Sequence, residues 1–102
     1  MKEIKLDILA FGAHPDDVEL GCGGTIAKEI ANGKKVGIVD LTRGELGTRG
    51  TPELRIKESE NASKKIGVEI RENLGFKDGF FKNDESHQLE IIKIIRKFKP
   101  SI

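Results

Sequence analysis

Apolar positions along the chain fall into short hydrophobic runs that are separated by longer amphipathic segments. The run over residues 4–12 becomes almost fully apolar toward its end, which is typical of a strand buried in a parallel sheet. Two further runs, over residues 36–41 and 68–74, predict a second and a third strand. No repeat, linker or low-complexity tract interrupts the pattern, so a single unit over residues 1–102 is expected.

The amphipathic segments predict three helices. The first covers residues 18–31, where apolar residues recur four positions apart and an Asn-Gly pair provides a stop. The second begins after Thr51, a helix-capping residue followed by a proline, and runs to about Ile66 before a glycine. The third is closed by Pro100 and carries an apolar stripe. That stripe consists of Leu89, Ile91, Ile92, Ile95 and Phe98.

The resulting order is β-α-β-α-β-α, and short crossovers of this kind produce a parallel sheet with right-handed connections. This order predicts an α/β fold of the Rossmann-like, three-layer type. If the strand order is 3-2-1-4, as in many doubly wound sheets, strand 1 lies between strands 2 and 4. Residues 101–102 stand where a fourth strand would begin, so the chain is expected to be truncated before strand 4. Strand 1 would then form an edge that invites association.

Composition narrows the classes of function. Eighteen lysines and arginines stand against 17 acidic residues, and the net charge of +1 favours neither a nucleic-acid partner nor an acidic tail. The single cysteine, Cys22, excludes an internal disulfide, and no run has the character of a signal peptide or a membrane span. We therefore expect a cytoplasmic protein without nucleic-acid or membrane partners.

The first predicted helix opens with a glycine-rich stretch at residues 21–24. It lacks the spacing of a dinucleotide-binding fingerprint, so the glycines are interpreted as allowing close helix packing. Cys22 within this stretch is expected to be a small buried residue rather than a reactive thiol. Phe80 and Phe81 are likewise expected to cap the core rather than to border a substrate pocket.

Candidate chemistry is concentrated at the end of the first strand, where His14, Pro15, Asp16 and Asp17 follow one another. Open α/β sheets place ligands at this edge. A catalytic zinc ion usually takes three protein ligands and a water whose pKa falls to roughly 7. His14 and Asp17 are candidates for two of the ligands, and Asp16 for the general base. A second interpretation stays open: Asp16 or Asp17 caps the first helix, and His14 makes an ordinary backbone hydrogen bond.

A longer set of residues resembles one known family. This set consists of residues 13–19, 21–27, 40–51 and 53–55, followed by Glu58. It closely resembles the LmbE-like family of zinc-dependent N-acetylglucosamine deacetylases, within the GlcNAc-PI de-N-acetylase superfamily. Within that family the chain is most similar to the bacterial branch that deacetylates N-acetylglucosaminyl malate on the route to bacillithiol. The resemblance covers nearly the whole chain and corresponds to the N-terminal half of such an enzyme.

The resemblance implies a hydrolase that removes the acetyl group of an N-acetylglucosamine conjugate and releases acetate and a free amine. It implies zinc as the cofactor, bound by His14 and Asp17, with Asp16 as the general base. Arg55 matches a substrate-contacting position, where a guanidinium suits a sugar hydroxyl or a carboxylate. Arg49, in a glycine-rich loop, is a second candidate for substrate binding. Related enzymes often assemble, so a homo-oligomer is compatible with the resemblance.

The chain departs from the family in its metal ligands. Members take the third zinc ligand from a distal motif that would lie beyond Ile102. The only other histidine is His87, near the start of the last predicted helix, where a solvated position is expected more than a place at the metal. An alternative function therefore stays open, in which the chain is a non-catalytic fragment that acts only as a folding or association unit.

Overall fold

A computed structural model describes residues 4–45, 51–80 and 82–102. The predicted order β-α-β-α-β-α is confirmed. The elements are β1 (Ile8–Gly12), α1 (Asp17–Ala31), β2 (Val36–Thr42), α2 (Pro52–Ile66), β3 (Ile70–Phe76) and α3 (Glu85–Phe98).

Two strands start later than the apolar runs predicted. β1 begins at Ile8 rather than at residue 4, because the N–H of Leu6 donates to the carbonyl of Phe98 instead of joining the sheet. β3 begins at Ile70 rather than at residue 68, because the N–H of Val68 donates to the carbonyl of Ser63 and helps to close α2.

The three strands are parallel, as predicted, in the order β1-β2-β3, which agrees with the first three strands of a 3-2-1-4 sheet. On the other side of β1, the N–H of Ile102 donates to the carbonyl of Asp7 at 3.0 Å. The N–H of Leu9 donates in turn to the carbonyl of Ile102 at 2.9 Å. Ile102 thus bonds to Asp7 and Leu9, the two neighbours of Ile8, which is the hydrogen-bond pattern between two parallel strands. Ile102 belongs to the segment in which the fourth strand was predicted to begin.

Two apolar clusters cover the faces of the sheet and give the molecule three layers. Because side chains alternate along a strand, Val36 and Ile38 face one side of β2 and Val39 faces the other. The first cluster packs the sheet against α1 and α2, through residues that include Ile26 and the partly buried Ile66. The second packs it against α3. It consists of Leu6, Leu9, Val39 and Phe98, with Ile4, Ile70, Leu74 and Ile94 packed around them.

The predicted apolar stripe of α3 is only partly correct. Phe98 is buried and Ile94 packs beside it, whereas Leu89, Ile92 and Ile95 are exposed. The helix therefore faces the sheet with the row that contains Ile94 and Phe98, next to the predicted row. Periodicity identifies the helix but does not decide which of two adjacent apolar rows is buried.

Helix α1 departs from two expectations at its glycine-rich start. Cys22 is exposed rather than buried, and its non-helical φ of −145° kinks the helix. A Cβ built at Gly21 or Gly24 would meet no described atom within 4 Å, so the interpretation of close helix packing is wrong in this part of the chain. Phe80 is 62% exposed, which contradicts its predicted place over the core, and Phe81 lies outside the described residues.

The helix ends follow the predicted capping chemistry more closely. The hydroxyl of Thr51 accepts from the N–H of Leu54 at 3.1 Å, and Gly67 ends α2 at a left-handed φ of 95°. Within the described part of the chain, no helix is both long and apolar enough to cross a bilayer.

Candidate metal and catalytic site

The site lies at the carboxyl end of β1, where Gly12 lets α1 approach the strand. A Cβ at Gly12 would lie 2.9 Å from Cγ2 of Val18 and 3.2 Å from Cβ of Asp17, so a larger residue would push the helix away. The carbonyl of Ala13 accepts the N–H and the hydroxyl of Thr42, at 3.0 and 2.8 Å. These bonds anchor the loop after β1 to the end of β2.

The side chains of His14 and Asp17, the two candidate zinc ligands, contact each other. Nδ1 of His14 lies 3.2 Å from Oδ2 of Asp17, and the same oxygen accepts the backbone N–H of His14 at 2.9 Å. Both side chains are about two-fifths exposed, at 39% and 41%. An imidazole nitrogen and a carboxylate oxygen are donor types that zinc takes in proteins, so this donor set fits two ligands of a zinc ion.

The second nitrogen of His14 contacts a residue that sequence reasoning missed. Nε2 lies 2.6 Å from Oδ1 of Asp78, whose side chain is only 6% exposed. Burial alone would lower the pKa of His14, but the hydrogen bond and charge of Asp78, together with Asp17, raise the pKa above its ordinary value of 6.5. The sequence could have indicated Asp78, because it lies two residues after the end of β3. Parallel strands end at the same edge of a sheet, so a residue at this position is expected near the end of β1.

Asp16 occupies a strained backbone position between the two candidate ligands. It precedes the first residue of α1 with a φ of 135° and a ψ of −17°, a conformation that favours glycine. Its side chain makes no capping hydrogen bond and is 52% exposed. The alternative interpretation, in which Asp16 or Asp17 caps the helix and His14 bonds to backbone, is wrong: Asp17 bonds to His14, and the His14 ring contacts two carboxylates.

Arg55 reaches the site from α2. Its Nη2 lies 3.5 Å from Oδ1 of Asp16, and its Nη1 donates to the carbonyl of Gly44 at 3.1 Å. Gly44 has a left-handed φ of 69°, and a Cβ there would collide with the guanidinium. The loop after β2 therefore closes onto Arg55 only because this position is glycine. Arg49, the second candidate for substrate binding, lies outside the described residues.

A cavity of about 170 Å³ opens between α1 and α2 on the Asp16 side of the loop. Asp16 thus borders both this cavity and the His14–Asp17 pair. The lining residues are Pro15, Asp16, Glu19, Arg55, Glu58, Ser59 and Ala62. Carboxylates, one guanidinium and one hydroxyl therefore face a space in which a polar group could be held.

A buried polar network links the sheet to the two helices that line the cavity. Nε and Nη2 of Arg71 each donate to Asp40 at 2.8 Å, and Nη1 donates to Ser63 at 3.0 Å and lies 3.1 Å from Oε1 of Glu19. The side chains of Asp40 and Arg71 are 2% and 8% exposed. Burial alone would lower the pKa of Arg71, but the carboxylates of Asp40 and Glu19 raise it, so Arg71 stays a cation. The network joins both helices to β2 and β3.

His87 lies at the start of α3, as predicted. Its Nδ1 is 2.6 Å from Oδ1 of Asp84, and its ring meets the ring of Phe76 edge to face, with centroids 4.5 Å apart. Its side chain is 27% exposed, which agrees with a partly solvated position. Among the described residues, no group of three or more histidine, cysteine, aspartate and glutamate side chains is arranged to hold a metal ion.

Comparison with known proteins identifies the family. The family model described as GlcNAc-PI de-N-acetylase (PIG-L) matches residues 9–102. The chain belongs to this family. The resemblance to this family is therefore confirmed, and the solved structures described next share the Rossmann-like fold of this chain.

Three relatives illustrate the match. The chain is 45% identical over 71 residues to the uncharacterized deacetylase YaiS of Escherichia coli K12. It is 48% identical to the conserved protein TT1542 of Thermus thermophilus, with a TM-score of 0.87 over 93% of the chain. It is 31% identical to the N,N'-diacetylchitobiose deacetylase of Pyrococcus horikoshii, solved with its inhibitor MPG, with a TM-score of 0.84 over 91% of the chain.

The chain spans about two-fifths of the length of these relatives. The match to YaiS includes 70% of the chain and 38% of YaiS. The chain covers 43% of the Thermus protein and 38% of the Pyrococcus deacetylase. The chain therefore corresponds to part of a longer protein in each of these relatives.

Proposed function

We propose that this protein takes part in the zinc-dependent removal of the acetyl group from an N-acetylglucosamine conjugate. The observation that carries the proposal is the convergence of His14 Nδ1 and Asp17 Oδ2 at 3.2 Å, with Asp16 between them in a strained conformation. Membership of the PIG-L family supports the reaction class. The whole reaction is the hydrolysis of an acetamide to acetate and a free amine.

His14 and Asp17 are the proposed zinc ligands. Zinc at these donors would polarise the acetamide carbonyl and acidify the attacking water. His14 and Asp17 hold each other in place through the His14 N–H and the Asp17 carboxylate, so the two donors are oriented before any metal binds. Such preorganisation lowers the cost of assembling a metal site.

Asp16 is the proposed general base. Its side chain is released from helix capping and half-exposed, and it borders the cavity, so it is available to accept a proton from water. The bond from the water oxygen to the acetyl carbon forms, the bond from carbon to nitrogen breaks, and the proton passes to the departing amine. A strained φ retained by a non-glycine residue is typical of functional sites.

Arg55 is the proposed substrate ligand, with Arg49 as a second candidate from sequence. The guanidinium of Arg55 points at Asp16 and lines the cavity, where it can bind a sugar hydroxyl or a carboxylate of the conjugate. N-acetylglucosaminyl malate is the first candidate substrate, because of the sequence resemblance, and its malate carboxylates suit a guanidinium. Diacetylchitobiose, named for the Pyrococcus relative, is the second. A cytoplasmic location and a homo-oligomer remain predictions.

The proposal is tested by measuring acetate release from both substrates with the metal-free protein and after addition of zinc. We expect turnover only with zinc, and a loss of about 10²–10⁴-fold in Asp16→Asn, the size of a general-base contribution. Zinc content should be unchanged in this variant, because Asp16 is not a proposed ligand. Glu90→Gln, an exposed change on α3, is the matched control and should retain full activity.

The same experiment tests the alternative of a non-catalytic association unit. That alternative is favoured by one observation: within the described residues, no group of three metal-ligating side chains is arranged so that it could hold a metal ion. Turnover that needs zinc and Asp16 supports the enzyme. Absence of both zinc binding and turnover in this chain, with both present in a longer polypeptide that contains it, supports the association unit and contradicts the proposed activity of the chain itself.

A further inference from the structure

The two ring nitrogens of His14 face two different carboxylates. Nδ1 faces Asp17 on the next helix, and Nε2 faces Asp78, which lies 64 residues away in sequence beyond the end of β3. Asp78 is buried, and its backbone N–H donates to Oε2 of Glu45 at 3.1 Å. Glu45 therefore holds the backbone of Asp78, and His14 contacts its carboxylate.

Both distances lie within hydrogen-bond range, but only one of them also matches the spacing of two ligands of one zinc ion. In a tetrahedral zinc site, bonds of about 2.0–2.2 Å place two ligand atoms about 3.4 Å apart. The separation between Nδ1 of His14 and Oδ2 of Asp17, 3.2 Å, is close to that value. The separation between Nε2 and Oδ1 of Asp78, 2.6 Å, is a hydrogen-bond distance and leaves no room for a metal between the atoms.

We propose that Asp78 is a positioning residue, which accepts the Nε2 proton of His14 and thereby leaves Nδ1 bare to bind zinc beside Asp17. The proposal rests on the proposed function for the metal at this site. A neutral imidazole has one donor nitrogen and one acceptor nitrogen, so a carboxylate at one nitrogen determines the state of the other. Asp78 also fixes the plane of the ring, because a buried partner at 2.6 Å allows little rotation.

The test uses the full chain and zinc itself as the probe. Zinc affinity is measured by competition with a chelating dye for the wild type, Asp78→Asn and Asp84→Asn. Asp84 is the matched control, since its carboxylate also lies 2.6 Å from a histidine ring nitrogen, on His87. We expect Asp78→Asn to bind zinc about ten- to a hundredfold more weakly, as in other sites that lose an outer carboxylate, and Asp84→Asn to bind as the wild type does.

A second measurement decides the nitrogen without any variant. Nitrogen-15 NMR of the wild-type histidines at alkaline pH, before and after zinc addition, should show the proton on Nε2 of His14 and the metal-induced shift at Nδ1. A shift at Nε2 overturns the proposal, as does wild-type zinc affinity in a folded Asp78→Asn protein. If Asp78→Asn does not fold, the NMR assignment alone decides.

The outcomes also separate this inference from the proposed function. Zinc bound through Nδ1 without acetate release contradicts the deacetylase and supports the role of Asp78. Zinc-dependent acetate release with unchanged zinc affinity in Asp78→Asn supports the deacetylase and contradicts the role of Asp78. A wild-type chain that binds no zinc overturns both.

Discussion

The Asp16 carboxylate lies 3.5 Å from the Arg55 guanidinium, although the two residues belong to different helices and are 39 positions apart. Asp16 stands at the start of α1, and Arg55 comes from the first turns of α2. Both residues line the cavity between the helices. The proposed base and the proposed substrate ligand therefore face the same space, and a substrate group bound by Arg55 would lie next to the carboxylate.

Arg55→Lys should weaken substrate binding with a smaller effect on turnover. Lysine keeps the charge but not the two-pronged donor set, so it cannot hold both Gly44 and Asp16 as Arg55 does. We expect KM for the acetylated substrate to rise about tenfold, which corresponds to about 1.4 kcal/mol. Steady-state kinetics on Arg55→Lys and on Lys57→Arg, an exposed site of the same helix, would check this. Equal KM values in the two variants would contradict a role for Arg55.

Asp16→Gly should make the protein more stable and less active. Glycine adopts a φ of 135° without the steric cost that an aspartate bears, so the free energy of unfolding should rise by about 1 kcal/mol. Acetate release should fall because the carboxylate is lost. The matched control is Lys99→Gly, at a φ of 47° in the cap of α3, which should gain stability and keep activity. Urea denaturation and an acetate assay on both variants test the claim, and a less stable Asp16→Gly would contradict backbone strain at this position.

Arg71→Met should be strongly destabilising. It removes the partner of the buried Asp40 carboxylate and leaves that charge without its two hydrogen bonds, which typically costs about 3–5 kcal/mol. Lys93→Ala, which breaks an exposed ion pair with Glu90, should change stability by less than about 1 kcal/mol. Urea denaturation of both proteins measures the difference. Similar midpoints would show that the buried network adds no more than a surface pair.

Local chemistry made much of this fold predictable. Thr51 and Gly67 set the ends of α2 through capping and a left-handed turn, and both could be read directly. The placement of His14 at a strand end also followed from the apolar run before it, because buried parallel strands end at the ligand edge. These features depend on residues that are close together in sequence.

Features that depend on distant residues were not predictable in the same way. Asp78 reaches His14 only because β3 lies in the same sheet, and no local pattern marks its side chain as buried. The exposure of Cys22 and of the α3 residue Ile92 depends on which face each helix turns to the sheet. The register of three strands and the rotation of two helices are tertiary properties, so composition and periodicity leave them open.

The capping residue of α3 gives a prediction about pH. The backbone N–H of His87 and the His87 ring, with Ser86, lower the pKa of Asp84 from its ordinary 3.8 to about 2. A carboxylate with a depressed folded-state pKa stabilises the protein above its unfolded-state pKa, and this contribution is lost as pH falls toward the folded value. Wild type should therefore exceed Asp84→Asn in stability at neutral pH, and the gap should narrow between about pH 4 and pH 2.

Asn is the informative replacement for Asp84 because it can still accept the His87 N–H as a helix cap but does not titrate. Urea-unfolding curves for the two proteins, recorded from neutral pH down to about pH 3, measure the gap directly. Asp84→Ala, which loses both cap and charge, should be less stable than Asp84→Asn at every pH. A gap between wild type and Asp84→Asn that stays constant or widens on acidification would show that the Asp84 carboxylate is not stabilised by its contacts in α3.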